Sequence, residues 1–197
     1  GNKKPRLMVD LIQGTLKNKF NSLKLKKYLN RLKNFDILWF EEPLDPDEVS
    51  LYEEFILSNK EKFNLCLGES FTCLNEFVAY KNLISFFQLD VTHLGGYYEA
   101  IKVLKYMHKN NPKTRFSSHV WGSGLSGLLN LAICRASNSI TWFEVPLLNF
   151  EINSHIFGNE QINFKELNNN DINYFLSNLN LEDNKNFQFI EKSGYRV

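Results

Sequence analysis

The segment Asp36-Ile37-Leu38-Trp39-Phe40-Glu41, followed at once by Glu42-Pro43-Leu44, sets the reading of the whole chain. Its apolar run is short and continuous, as expected of a strand buried on both faces. It ends on a carboxylate. The same grammar recurs on either side, in candidate strands Arg6–Asp10, Phe63–Gly68, Ser85–Asp90, Arg115–His119 and Ile140–Glu144. At the C-terminal edge of these strands stand residues able to do chemistry: Asp10, Glu41, Glu69, Asp90, His119 and Glu144. They are spaced by 31, 28, 21, 29 and 25 residues, each gap about one strand-and-helix unit.

Segments of helical period fill the gaps, near Leu16–Leu32, Asp47–Asn59, Thr72–Lys81, Tyr97–Lys109 and Ser123–Ala136. In the fourth of these, Ala100, Ile101, Val103, Leu104 and Met107 recur at helical spacing and predict one buried face. Pro112 stops that helix. Strands alternating with helices imply a parallel sheet, either doubly wound or closed into a barrel. A doubly wound sheet needs polar strand ends only beside its switch point. In a barrel every strand end converges on one mouth. Six polar ends in a row therefore favour an α/β chain forming part of a (β/α)8 TIM-type barrel.

Residues 1–150 are read as six βα units. Residues 151–197 are read as a tail packing on the barrel or its cap, with a short helix at Ile172–Leu179 and a strand at Phe187–Ile190. Six strands are two short of eight, and Gly1-Asn2-Lys3-Lys4-Pro5 leads into a strand almost at once. The expectation is that the first two strands are missing from the sequence as given.

Bulk composition narrows the partners. A formal charge of +1 on 197 residues argues against a nucleic-acid surface, which needs a clear basic excess. No apolar run approaches the roughly 20 residues that span a bilayer, and no secretory signal is visible. Cys66, Cys73 and Cys134 lack metal-binding spacing, and free thiols fit a reducing cytoplasm.

Asp10, Glu41 and Glu69 end three consecutive strands. Three converging carboxylates repel one another and raise their own pKa values, a penalty that a divalent cation removes. Ligation by oxygen alone suits a hard ion, Mg²⁺ first, with Mn²⁺ as a substitute.

The motifs that carry these residues resemble those of a known family. Leu7-Met8-Val9-Asp10, Trp39-Phe40-Glu41-Glu42-Pro43-Leu44 and Leu67-Gly68-Glu69-Ser70 look like the three metal-ligand motifs of the enolase superfamily. Gln88-Leu89-Asp90-Val91-Thr92-His93-Leu94-Gly95-Gly96, Phe116-Ser117-Ser118-His119 and Trp142-Phe143-Glu144 resemble the sixth-, seventh- and eighth-strand motifs of its mandelate racemase subgroup. The resemblance implies Glu41, not Glu42, as the ligand from the Glu-Glu-Pro element. It implies an N-terminal capping domain, absent from this sequence, and a homo-oligomer.

The chemistry can be argued on its own terms. A proton beside a carboxylate is weakly acidic, so its removal needs a base and stabilisation of the resulting enediolate. The metal supplies the second. His119 supplies the first, since an imidazole titrates near neutral pH. Asp90 would accept a hydrogen bond from His119, fixing its tautomer. Glu144, if protonated, could donate to the substrate carboxylate. His93, in the loop above the barrel, either touches substrate or faces solvent. Gly95-Gly96 either holds an anionic group on its amides or makes a tight turn.

Some features depart from the subgroup. Ile12 stands where an Asn is usual, two residues past Asp10. The Lys-x-Lys motif expected upstream of the first ligand has no room, and Lys24-Leu25-Lys26 lies in a helical pattern instead. The expected activity is Mg-dependent proton abstraction beside a carboxylate, in a cytoplasmic acid-sugar dehydratase acting on a small sugar acid. Racemisation or epimerisation of a 2-hydroxy acid is the near alternative. A non-catalytic fragment or degenerate homologue is the alternative from another class.

Overall fold

The computed structural model describes residues 6–59, 62–122, 124–146 and 188–192. Seven strands form one sheet: β1 (Leu7–Asp10), β2 (Ile37–Glu41), β3 (Leu65–Leu67), β4 (Phe86–Leu89), β5 (Arg115–Ser118), β6 (Ile140–Pro146) and β7 (Gln188–Lys192). All neighbours pair in parallel and the spatial order is the chain order, β1 to β7. A doubly wound sheet would reverse its order at a switch point. None occurs among the described strands.

The sheet curls. β2 and β6 are four strands apart, which would separate them by about 19 Å in a flat sheet. Yet the Trp39 and Trp142 rings meet edge to face with centroids 5.3 Å apart. Phe86 of β4 touches both, at 5.5 and 5.6 Å. Three rings from alternate strands thus form a packed layer inside the curve, the arrangement that fills a (β/α)8 barrel. The described chain is therefore part of such a barrel, its helices alternating with parallel strands.

The opposite faces of the strands are apolar too, because helices cover them. A single helical turn, α1 (Ile12–Thr15), follows β1; Phe40, Leu67, Phe87, Leu89, Phe116 and Phe143 join one core with residues from α2 (Ser22–Leu32), α3 (Val49–Ser58), α4 (Leu74–Tyr80), α5 (Tyr97–Asn110) and α6 (Gly124–Ala136). In α5 the predicted face is buried at Ala100, Val103, Leu104 and Met107, with Ile101 half-buried. Lys24 is exposed in α2 while Leu25 is fully buried, so that lysine pair is a helix face.

Some boundaries differ from expectation. The helix predicted from Leu16 begins at Ser22, because Asn21 accepts the Lys24 N–H through its side chain at 2.9 Å and caps it there. Before it, Ile12 to Leu16 run through positive φ, and only Gly14 among them suits that region readily. Lys19 pairs with Asp45, joining the loop after β1 to the loop after β2.

The tail strand predicted at Phe187–Ile190 is found as Gln188–Lys192, beside β6. The helix expected at Ile172–Leu179 lies outside the described residues. Among the described residues, no helix is long and apolar enough to cross a membrane.

Candidate active site at the strand ends

The parallel register brings the strand ends level. Asp10 and Glu41 are direct partners across β1 and β2. β3 is short and stops at Leu67, and Gly68 then turns the chain at φ +120°. A Cβ at Gly68 would lie 2.9 Å from the Gln88 carbonyl and 3.2 Å from the Phe77 ring. Only glycine lets the backbone approach β4 so closely at that φ. Glu69 projects from this turn.

From the other strands come the acid–base groups. Asp90 follows β4 and is buried; His119 follows β5, its N–H donating to the Leu89 carbonyl at 3.0 Å. His119 Nδ1 lies 2.9 Å from Asp90 Oδ2, and Nε2 lies 3.3 Å from Glu69 Oε2. Carboxylates that follow β3 and β4 therefore meet on the imidazole that follows β5. Glu144, in β6, is buried, and its Oε2 accepts the Val120 N–H at 2.9 Å, next to His119.

Burial alone would raise the pKa of Asp90. Hydrogen bonds from His119, Thr92 and Asn130, with the nearby His119 charge, instead hold it at about 2. Asp90 is thus a carboxylate acceptor. The Glu42 carboxyl is pushed the other way, to about 7, first by burial, then by the charges of Glu41 and Asp10. Its Oε2 accepts the Gln13 N–H at 3.2 Å and its Oε1 accepts from Ser70 at 3.4 Å. Acidic groups of β1 and β2 act on a common volume, and an all-oxygen donor set of that kind has the chemistry a hard divalent cation takes.

The geometry is not that of a closed metal cage. Among the described residues, no group of three His, Cys, Asp or Glu side chains stands at metal-holding spacing. Asp10 Oδ1 accepts the Ile12 N–H at 2.7 Å, while Glu69 is turned toward His119.

Other expected residues fall as follows. His93 is exposed, yet its ring stands edge to face with His119 at 6.3 Å. Gly95 and Gly96 both take positive φ and form the turn into α5. A cleft of about 360 Å³ between Leu32, Lys33, Phe35, Ile37 and Phe63 lies at the opposite, N-terminal end of the sheet, away from all these groups. Sequence reasoning overlooked Asn130 and the Thr92 hydroxyl, both of which contact Asp90. Thr92 could have been found from its place two residues past an aspartate, a common local hydrogen-bonding pattern.

Parallel strands in chain order, curled around a ring layer, with carboxylates and a His–Asp pair at their C-terminal ends, define part of a (β/α) barrel whose titratable groups gather at the face where such barrels carry their sites. Residues 1–167 match the family described as enolase C-terminal domain-like, and the chain belongs to it. Similar solved structures include the 3,6-anhydro-D-galactonate cycloisomerase from Zobellia galactanivorans, at 19% identity and a TM-score of 0.65. That match covers 77% of this chain and 41% of the other. A provisionally named dehydratase from Mesorhizobium loti matches at 22% identity and a TM-score of 0.61, over 71% of this chain and 35% of that one. A provisionally named mandelate racemase/muconate lactonizing enzyme from Labrenzia alexandrii DFL-11 matches at 23% and 0.57, over 64% and 32%. The chain thus spans about a third of the length of these proteins. No curated protein matches it.

Proposed function

We propose that the protein of which this chain forms part of the barrel removes the proton beside a carboxylate, and that its reaction is dehydration of a sugar acid. The observation that carries this reading is the His119 imidazole, held through Nδ1 at 2.9 Å by Asp90 with Nε2 facing the strand-end carboxylates. Asp90, ionised to about pH 2, accepts Nδ1–H and so keeps the Nε2 lone pair for the substrate proton. As the ring takes that proton, the same carboxylate stabilises the imidazolium.

In a dehydration, the protonated His119 then gives its proton to the departing hydroxide of the neighbouring carbon, and the enol product rearranges to a 2-keto acid. Glu144, in its protonated form, would donate to the substrate carboxylate as charge builds there. Asp10, Glu41 and Glu69 would hold Mg²⁺, or Mn²⁺ in its place. When bound, that ion supplies fixed positive charge where negative charge grows. The sugar-acid cycloisomerase among the similar structures supports the substrate class, a small carboxylate-bearing sugar, and the provisionally named dehydratase supports the reaction.

The test is incubation of the intact protein with acid sugars and Mg²⁺ in D₂O. A dehydratase incorporates deuterium and yields a 2-keto product. His119→Asn should lower the rate on the order of 10²- to 10⁴-fold, the usual worth of a general base. Exchange without keto product assigns racemisation or epimerisation instead, and exchange undiminished in the variant removes His119 from the chemistry.

A further inference from the structure

We propose that Asn130 is a positioning residue for the proton-transfer pair: its amide clamps Asp90 so that one carboxylate oxygen alone is presented to His119. Asn130 sits in the apolar run Gly127-Leu128-Leu129-Asn130-Leu131-Ala132 of α6 and is 0% exposed. A polar side chain in such a place destabilises unless its hydrogen bonds are met. Here they are. Oδ1 accepts the Val91 N–H at 3.0 Å. Nδ2 donates to Asp90 Oδ1 at 3.0 Å and to the Ser126 carbonyl, one turn back, at 3.1 Å.

Those three partners fix which end of the amide is oxygen. Turned over, it would set NH₂ against an N–H, and its oxygen against a carboxylate and a carbonyl. The consequence reaches the pair directly. Asp90 Oδ1 accepts from Asn130 and also from Thr92, from its N–H at 2.8 Å and its hydroxyl at 2.6 Å. With Oδ1 so engaged, Oδ2 is the atom offered to His119 Nδ1. The Thr92 bonds belong to the same turn as Asp90 and move with it. Asn130 stands 40 residues on, in the helix that follows the strand leading to His119. One amide therefore ties the Asp90 side chain and the Val91 backbone to α6, the helix that follows the base in the chain.

Packing alone does not explain this. A leucine would fill the space but could not orient a carboxylate. An aspartate would keep the shape and the bond from Val91, yet set a second carboxylate oxygen against Asp90.

The inference rests on the proton-transfer reading for its catalytic meaning, but its geometry is tested without substrate. Protein labelled with ¹⁵N-histidine, at a pH high enough for neutral rings, reports which ring nitrogen carries the proton. His119→Asn identifies the resonance. The wild type should show His119 protonated at Nδ1, and both Asn130→Asp and Asn130→Ala should lose the dominance of that form. Leu131→Ala, one residue away and equally buried, should lower stability and keep the wild-type tautomer. If the alanine variant does not fold, the isosteric aspartate variant decides.

An unchanged tautomer in the folded Asn130 variants overturns the proposal, as does an equal shift in Leu131→Ala. In the acid-sugar assay, Asn130→Asp should lower kcat about 10- to 100-fold, as loss of an orienting partner does, with KM nearly unchanged. A change in KM alone overturns the positioning role. If no acid exchanges at all, the functional reading fails while the tautomer result stands.

Discussion

At Glu42 the carboxyl is 1% exposed and its pKa rises from 4.5 to about 7, through burial first and then the charges of Glu41 and Asp10. The unfolded chain loses this proton near pH 4.5. Between that pH and about 7 the native state therefore holds a proton the unfolded state lacks, and stability falls as pH rises. By pH 8 the loss from this group is on the order of 3 kcal/mol. Glu42→Gln should therefore raise Tm in metal-free buffer at pH 8 and leave it nearly unchanged at pH 4.5. A Tm unchanged at both pH values would show that Glu42 is not held protonated. Asp10, Glu41, Glu69, Asp90, His119 and Glu144 were legible in sequence as polar residues recurring at the ends of successive strand-like segments, about one strand-and-helix unit apart. Asn130 was not. Its partner lies 40 residues away, and only tertiary packing joins them; the available signal was a lone amide inside an apolar helix. The raised pKa of Glu42 was equally hidden, since it depends first on burial and then on how closely β1 and β2 bring their carboxylates.

Among the elements, β3 bears most directly on the site, because its last turn aims Glu69. Gly68 makes that turn possible at φ +120°, against the Gln88 carbonyl. Gly68→Ala forces either the turn or β4 to shift, at a cost of roughly 1–3 kcal/mol for the backbone conformation, before the clash is counted. Urea unfolding should show that loss, and the same variant should weaken divalent-cation binding by displacing Glu69. A variant as stable as the wild type would mean that the turn is not constrained. Most strands were legible from their apolar character, β5 (Arg115-Phe116-Ser117-Ser118) from its place in the spacing, and α5 from its period. The stretch before Ser22 was not, since Leu16-Lys17-Asn18 fits a helical pattern while the Asn21 cap starts the helix later. Glu76 likewise accepts the N–H groups of Thr72 and Cys73, so α4 begins at Leu74 rather than Thr72.

At the scale of the whole molecule, curvature is what brings the carboxylates after β3 and β4 to the imidazole after β5, and the ring layer of Trp39, Phe86 and Trp142 fills that curve. Trp142→Ala should cost about 3–5 kcal/mol, the usual loss for a large buried aromatic, and should reduce activity although Trp142 lies below the mouth. The barrel itself could be inferred from six polar strand ends in succession; the ring layer could not, because contact between β2 and β6 depends on closure. In the proposed function, Asp10, Glu41 and Glu69 hold one hard cation across from His119. Titration of Mn²⁺ followed by electron paramagnetic resonance tests it directly, on the wild type and on Asp10→Asn, Glu41→Gln and Glu69→Gln. One Mn²⁺ per chain, displaced by Mg²⁺ and weakened at least about tenfold in every variant, is the predicted result. A wild type that binds no ion, or three variants that bind as the wild type does, would contradict the claim.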